Sequence, residues 1–228
     1  MKTVFISGAN RGLGLEFARQ YAAAGWQVLG GCRDPERADA LRALPNTRAI
    51  TLDVSNARSI ENAAIQTGGQ QIDLLINNAG IYGTALGDSG QTLAEQDIEI
   101  WMGVLRANVL GVFELTRALL PLIPSGGMVA IMSSRLGSIA ENRDGGMYAY
   151  RSSKTAVNMV GRSLAQDLKP RGVTVVMLHP GWVATDMGGA NAPVKPADSV
   201  AGLRKVLDGV TPDSTGRFLA WDGAELPW

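Results

Sequence analysis

Tyr150 and Lys154 stand four residues apart in Y-R-S-S-K. On a helix that interval puts both side chains on one face. A phenol with an ordinary pKa near 10 is a poor acid–base catalyst at neutral pH. An ammonium about 4 Å away is worth roughly 4 kcal/mol at an effective dielectric of 20, enough to bring a phenol towards 7. The pair can therefore exchange a proton with a reacting oxygen, although any helix surface can carry the same interval. A second cluster, S-G-A-N-R-G-L-G from Ser7 to Gly14, has glycines at 8, 12 and 14. Glycines there allow a sharp turn and let a pyrophosphate reach a helix N-terminus, whose free N–H groups favour negative charge. The spacing is not G-x-G-x-x-G, and a tight strand-to-helix turn without ligand reads the same way.

The elements that must hold these residues follow from hydrophobic periodicity. Residues 3–7 form an apolar run that stops at the glycine cluster, and 13–24 show helical spacing through Leu13, Phe17 and Tyr21. Further strands are expected at 26–32, 48–52, 72–77, 127–133, 172–179 and 217–220. Helices are expected at 35–44, 59–66, 148–168 and 197–207. Thr92 and Glu95 have capping-box spacing and predict the start of a long helical region reaching Leu122. The strands are continuously apolar rather than alternating, which implies a sheet covered on both faces. The expected fold is α/β, a doubly wound, mainly parallel, Rossmann-like sheet with helices on both faces, in one domain over residues 1–228. The Gly/Pro-rich stretch at 187–196 reads as an active-site loop.

Composition removes other classes of function. Lys plus Arg number 21 and Asp plus Glu 21, so no net field draws the chain to nucleic acid or anionic lipid. At 46% hydrophobic and 18% charged, a disordered chain is excluded. Cys32 is the only cysteine and His179 the only histidine, so neither a disulfide nor a zinc cluster is expected, and no metal site. Both read as structural residues. Apolar stretches fall short of the ~18 residues that cross a bilayer, and the first residues are not a secretory signal. A soluble, cytoplasmic protein is expected.

Taken together, these residues resemble the short-chain dehydrogenase/reductase family over nearly the whole chain. The resemblance rests on the glycine cluster, N-N-A-G at Asn77 to Gly80, S-S-R-L-G at Ser133 to Gly137, the Tyr150/Lys154 pair and P-G-W-V-A-T at Pro180 to Thr185. M-Y-A-Y-R-S-S-K and W-D-G-A-E-L-P-W look most like the carbonyl-reductase branch with sniffer-type and C-factor-type members. The resemblance implies that Tyr150 is the general acid in reduction and that Lys154 tunes it while binding the nicotinamide ribose. Ser134 would bind the substrate carbonyl, and Asn108 would help hold a water that relays protons to Lys154. Gly8, Asn10, Arg11, Gly12, Leu13 and Gly14 would cradle the cofactor phosphates, and Asn78, Ala79 and Gly80 would line its floor. Asp53 would meet the adenine amine, and Val183 with Thr185 the carboxamide; Val54, Pro180 and Gly181 complete the cofactor set.

One departure concerns the serine. Many relatives have it thirteen residues before the tyrosine, whereas Ser134 lies sixteen before and Ser138 twelve before. The pattern S-x-x-G fits Ser134 to Gly137, with three extra residues within 141–146; Ser138 stays the alternative. The end of the second strand speaks to the cofactor. An acid there would hold the ribose 2′-hydroxyl of NAD, but the position is Cys32, followed by Arg33. Arg33 and Arg11 can grip a 2′-phosphate, so NADP(H) is expected in preference to NAD(H). Ile81, Leu136, Met147, Trp182 and Met187 suit a hydrophobic aldehyde, ketone or quinone. The stripe Trp101, Leu105, Val109, Val112 and Leu115 or Leu119 reads as core or subunit interface, and by family analogy a homodimer or homotetramer. The expected activity is NADPH-dependent carbonyl reduction; the alternative is a non-catalytic NADP(H)-binding regulatory or signalling protein.

Overall fold

The computed structural model describes residues 1–83 and 92–228. Its strands are β1 (Thr3–Ser7), β2 (Gln27–Cys32), β3 (Thr47–Thr51), β4 (Leu74–Asn77), β5 (Met128–Met132), β6 (Thr174–His179) and β7 (Phe218–Ala220). They form one sheet in the order β3-β2-β1-β4-β5-β6-β7, and every pair is parallel. The strand order reverses between β1 and β4, and in such sheets ligands bind in the crevice beyond the carboxyl ends at that point. Ser7 ends β1, Asn77 ends β4, and Met132 ends β5. The glycine cluster, N-N-A-G and S-S-R-L-G all begin at those ends.

Both sheet faces are buried, which accounts for the continuous apolar runs. Phe5, Leu75, Val129 and Ile131 face one core, and Val4, Ile6, Ile76 and Val176 face the other. The helices are α1 (Gly12–Ala23), α2 (Asp39–Arg42), α3 (Ala57–Gln66), α4 (Ile98–Leu105), α5 (Gly111–Leu119), α6 (Tyr148–Leu168) and α7 (Pro196–Asp208). Ile60, Val112, Leu115 and Val157 bring α3, α5 and α6 onto the first core, and Phe17, Tyr21, Val200 and Leu203 bring α1 and α7 onto the second. Each such side chain contributes about 1.5–3 kcal/mol when fully buried.

Two stretches depart from the expected helices. Residues 35–44 divide into a 3₁₀ turn, Pro35–Arg37, and the four-residue α2. Ala38 between them has φ −99° and ψ 48°, outside the helical region. The expected capping box at Thr92 does not start the long helix. Thr92 Oγ1 donates to the Glu95 carboxylate at 2.8 Å across a 3₁₀ turn, and Gln96 is extended. The cap is Asp97, whose carboxylate accepts from the backbone N–H of Glu99 at 2.8 Å and Ile100 at 3.2 Å. An ionised acceptor at a helix N-terminus outcompetes a neutral hydroxyl. The helical region is also broken by a π-helical turn, Arg106–Leu110, that carries Asn108.

Candidate active site

The crevice is assembled first by the ends of β1 and β4. Ser7 Oγ accepts from the N–H of Asn78 and of Ala79, each at 3.0 Å, and Asn78 Nδ2 donates to the Ser7 carbonyl at 2.9 Å. Gly8 has φ +70°, and a Cβ there would press on Ala79; a Cβ at Gly14 would run into the Gly8 carbonyl oxygen. The chain can fold this tightly only without side chains. Helix α1 then opens with Arg11 as an extended N-cap whose side chain makes no cap bond, and its first turn has no acid. These free N–H groups and the unopposed dipole fit a pyrophosphate.

Asn108 is buried in the π-helical turn. Its Oδ1 accepts from Ile81 N–H at 2.8 Å, while Nδ2 donates to the Ile81 carbonyl at 2.8 Å and to Ser153 Oγ at 3.0 Å. Ser153 Oγ in turn donates to the Tyr150 carbonyl at 2.7 Å. The amide thus ties Ile81 to α6. Single-turn π insertions commonly serve functional sites.

Tyr150 and Lys154 project from the first turns of α6 and are 9% and 6% exposed. Lys154 Nζ donates to the Met132 carbonyl at 2.8 Å and lies 5.6 Å from the Tyr150 ring centre. Desolvation lowers its pKa to about 8. Ser134 pulls the pKa of the Tyr150 phenol down, but burial dominates and raises it to about 12. The lysine-driven fall towards 7 anticipated from the four-residue spacing is not what this geometry produces: the ammonium turns to a carbonyl, and burial penalises the phenolate. Ser138 is buried at 1% exposure, and its Oγ accepts from Glu141 N–H at 3.2 Å, capping its own turn. Of the two serines, Ser134 meets the phenol. Tyr82 adds a ring 4.9 Å from that of Tyr150.

The remaining candidates rim the crevice. Asp53 is held by Ser55, through Oγ at 2.7 Å and N–H at 2.9 Å, and this holds its pKa down. Val54 packs its carbonyl against Gly111 at the start of α5. Arg106 donates to the Ser55 carbonyl at 2.9 Å and pairs with Glu114 at 2.7 Å, fastening this loop to the Asn108 turn. Arg33 and Asn10 are exposed, and Leu13 packs on the second core. Arg11 meets Asp186 at 2.8 Å, with both side chains largely in solvent. Pro180 accepts from Ser199 Oγ at 2.6 Å, Gly181 has φ +87°, and Val183 is buried. Thr185 comes within 3.7 Å of a Cβ built at Gly12, which closes the crevice over the glycine turn. His179 is not at the phenol; its Nδ1 accepts from Arg135 N–H at 3.2 Å. Ser7, Ser153, Tyr82 and the Met132 carbonyl were absent from the sequence-derived set. Ser7 and Ser153 lie inside the quoted motifs, whereas nothing local marks a carbonyl as a lysine's acceptor.

The family model for short chain dehydrogenases matches residues 2–195. The chain belongs to the short-chain dehydrogenase family. Among this family's curated members, "C-signal" of Myxococcus xanthus is 47% identical over 161 residues, 69% of this chain and 93% of that protein. The 1-hydroxy-2-glutathionyl-2-methyl-3-butene dehydrogenase of Rhodococcus is 37% identical across the full length of both chains. The NADPH-bound carbonyl reductase from chicken fatty liver superposes with a TM-score of 0.91 at 33% identity, covering 100% of this chain and 99% of that one. The carbonyl reductase Sniffer of D. melanogaster reaches 0.90 at 32% identity over all of both chains. The seven-stranded parallel sheet is the Rossmann-like fold of these short-chain dehydrogenases. The free α1 N-terminus and the Gly8–Gly14 crook are the features by which it fits a dinucleotide.

Proposed function

We propose that this single-domain chain of 228 residues is an NADPH-dependent carbonyl reductase acting on an aldehyde, ketone or quinone. The observation that carries this reading is the buried Tyr150 phenol with Ser134 acting on it and Lys154 Nζ 5.6 Å from its ring centre, at the carboxyl ends of β4 and β5. NADPH, when bound, supplies the hydride. Tyr150 keeps its proton at neutral pH because burial raises its pKa, so it stands as donor to the carbonyl oxygen as negative charge develops there. Ser134 orients that oxygen, Lys154 places a cation beneath it, and Asn108 holds the floor at Ile81. The free N–H groups of α1 would take the pyrophosphate, with Gly8, Asn10, Gly12, Leu13 and Gly14 around it; Asn78, Ala79, Gly80, Asp53, Val54, Pro180, Gly181, Val183 and Thr185 would complete the groove. Arg33, exposed beside the end of β2, and Arg11 favour NADP(H) over NAD(H); the chicken-liver enzyme of the same fold has NADPH bound.

The test follows NADPH absorbance over a panel of aldehydes, ketones and quinones. Tyr150→Phe should remove most turnover while cofactor still binds; full retained activity defeats the reading. Arg33→Asp should raise KM for NADPH far more than for NADH, and equal effects would reject the cofactor assignment.

The name of the Myxococcus relative favours a second reading, an NADP(H)-binding signalling protein without turnover. The complete Ser134, Tyr150 and Lys154 set argues against it, since binding alone needs no proton donor. Homodimers or homotetramers are proposed from the exposed Leu110 and Phe113 around α5 and Met159 on α6. A cytoplasmic location is proposed from the single, reduced Cys32; among the described residues no helix is long and apolar enough to cross a membrane.

A further inference from the structure

Arg151 follows Tyr150 in the first turn of α6 and is buried, with 8% of its surface exposed. Its Nε has no hydrogen-bond partner, and among the described residues no carboxylate lies within ion-pair distance of it. A buried cation is ordinarily matched by an anion. Arg204 also has an unpartnered Nε, but it is accommodated, stacking on Tyr21 and donating to the Gln20 carbonyl. Among the described residues Arg151 has no such arrangement. Glu141, an acid on the loop that follows Ser138, is already paired with Arg135 at 3.3 Å.

Arg151 stands on the turn of α6 that also carries Tyr150, beside the reacting end of the crevice. The ring of Tyr82 lies 4.9 Å from that of Tyr150, and the Arg151 charge acts on the Tyr82 phenol, opposing the rise that burial imposes. Two helical turns further along the same face of α6 stands Asn158, 3% exposed, with both amide atoms unpartnered. Between them Thr155 Oγ1 donates to the Gly137 carbonyl at 3.0 Å, which sets this polar face beside the Ser134 turn.

We propose that Arg151 is an anion subsite of the active site and that the substrates are carbonyl compounds carrying a carboxylate. Apolar residues at the crevice mouth, such as Ile81 and Trp182, take the body of such a molecule, and Arg151 takes its charged end. The inference rests on the carbonyl-reductase reading and narrows it to oxo acids.

The test uses 4-formylbenzoate and its neutral methyl ester as matched substrates, with NADPH, for wild type, Arg151→Met and Arg151→Lys. Wild type should prefer the acid by tenfold or more in kcat/KM. That acid-to-ester ratio should fall at least tenfold in Arg151→Met and be partly kept in Arg151→Lys. Absence of an acid preference in wild type, or an unchanged ratio in Arg151→Met, overturns the proposal. Calorimetry with terephthalate and neutral terephthalamide on NADP⁺-loaded enzyme reads the subsite without turnover. Terephthalate binding at least tenfold tighter than terephthalamide, and lost in Arg151→Met, supports the subsite even if neither aldehyde is reduced; that result would sink the reductase reading alone. Equal binding of the two probes to wild type overturns the subsite whatever the turnover, and does so even if Arg151→Met fails to fold.

Discussion

Burial, rather than the neighbouring lysine, governs the phenol in this protein. With Tyr150 raised to about 12 and Lys154 lowered to about 8, the site holds a protonated phenol at neutral pH. Carbonyl reduction needs that proton, whereas alcohol oxidation needs it gone. Reductive kcat/KM should therefore be level near neutrality and fall above about pH 8 as Lys154 loses its charge, while the oxidative rate climbs with pH. Paired pH–rate profiles check both limbs; an oxidative optimum near pH 6 would contradict the assignment. The two serines separate in the same experiment. Ser134→Ala removes the hydroxyl that acts on the phenol and should cut kcat by about 10²–10³-fold, the scale of losing one oxyanion donor. Ser138→Ala removes only a turn cap and should leave kcat within about threefold while costing about 1 kcal/mol of stability. Spacing from the tyrosine left both serines open because the loop between them and Tyr150 has no fixed length; only its path brings one of them to the phenol.

At the scale of elements, the crevice depends on backbones meeting closely. Gly14 lies in the first turn of α1 with no space for a Cβ, because the Gly8 carbonyl occupies it. Gly14→Ala should destabilise by about 1–3 kcal/mol, as overpacking does, lowering Tm by about 2–10 °C, and should weaken NADPH binding. Differential scanning calorimetry and a cofactor titration measure the two effects; a variant unchanged in both would refute the tight crook. The strand-to-helix turn was legible because glycines at 8, 12 and 14 have few other uses there. The start of α4 was misread because a capping box and an Asp cap compete over five residues. The outcome turned on Gln96 adopting extended backbone, which no residue-type rule specifies. The π-helical turn gave no sequence signal either; its Asn108 bonds Ile81, a partner 27 residues away in the chain.

For the molecule as a whole, solution pH acts through the half-buried imidazole of His179, whose Nδ1 accepts from Arg135 N–H. His179 has its pKa lowered to about 4, first by desolvation and then by Arg135, with Asp222 opposing. The unfolded chain binds a proton near 6.5 that the folded chain refuses, so stability is complete above pH 6.5 and declines as pH falls towards 4. The loss should be about 2–3 kcal/mol. Urea titrations from pH 7 to 4 should show this fall, and His179→Asn should flatten it. Assembly belongs to this scale too. Leu110, Phe113 and Met159 are 50%, 39% and 67% exposed, an apolar face with little reason to stay in water. Phe113→Glu should shift an oligomer towards monomer in light scattering, with the fold retained by circular dichroism.

The chain by itself determined the layered parallel sheet, because strands buried on both faces must be apolar at every position, and that pattern is local. It likewise determined where the tight glycine turn would form and which helix would carry tyrosine and lysine together, because glycine freedom and a four-residue spacing are local as well. The tertiary structure alone decided which serine meets the phenol, which way burial moves its proton, and that Lys154 turns to a carbonyl of β5. It also decided that Arg151 has no carboxylate within ion-pair distance among the described residues. Each of these depends on desolvation and on partners that are distant in the chain, and a side chain's solvent and neighbours do not exist until the strands have been brought together.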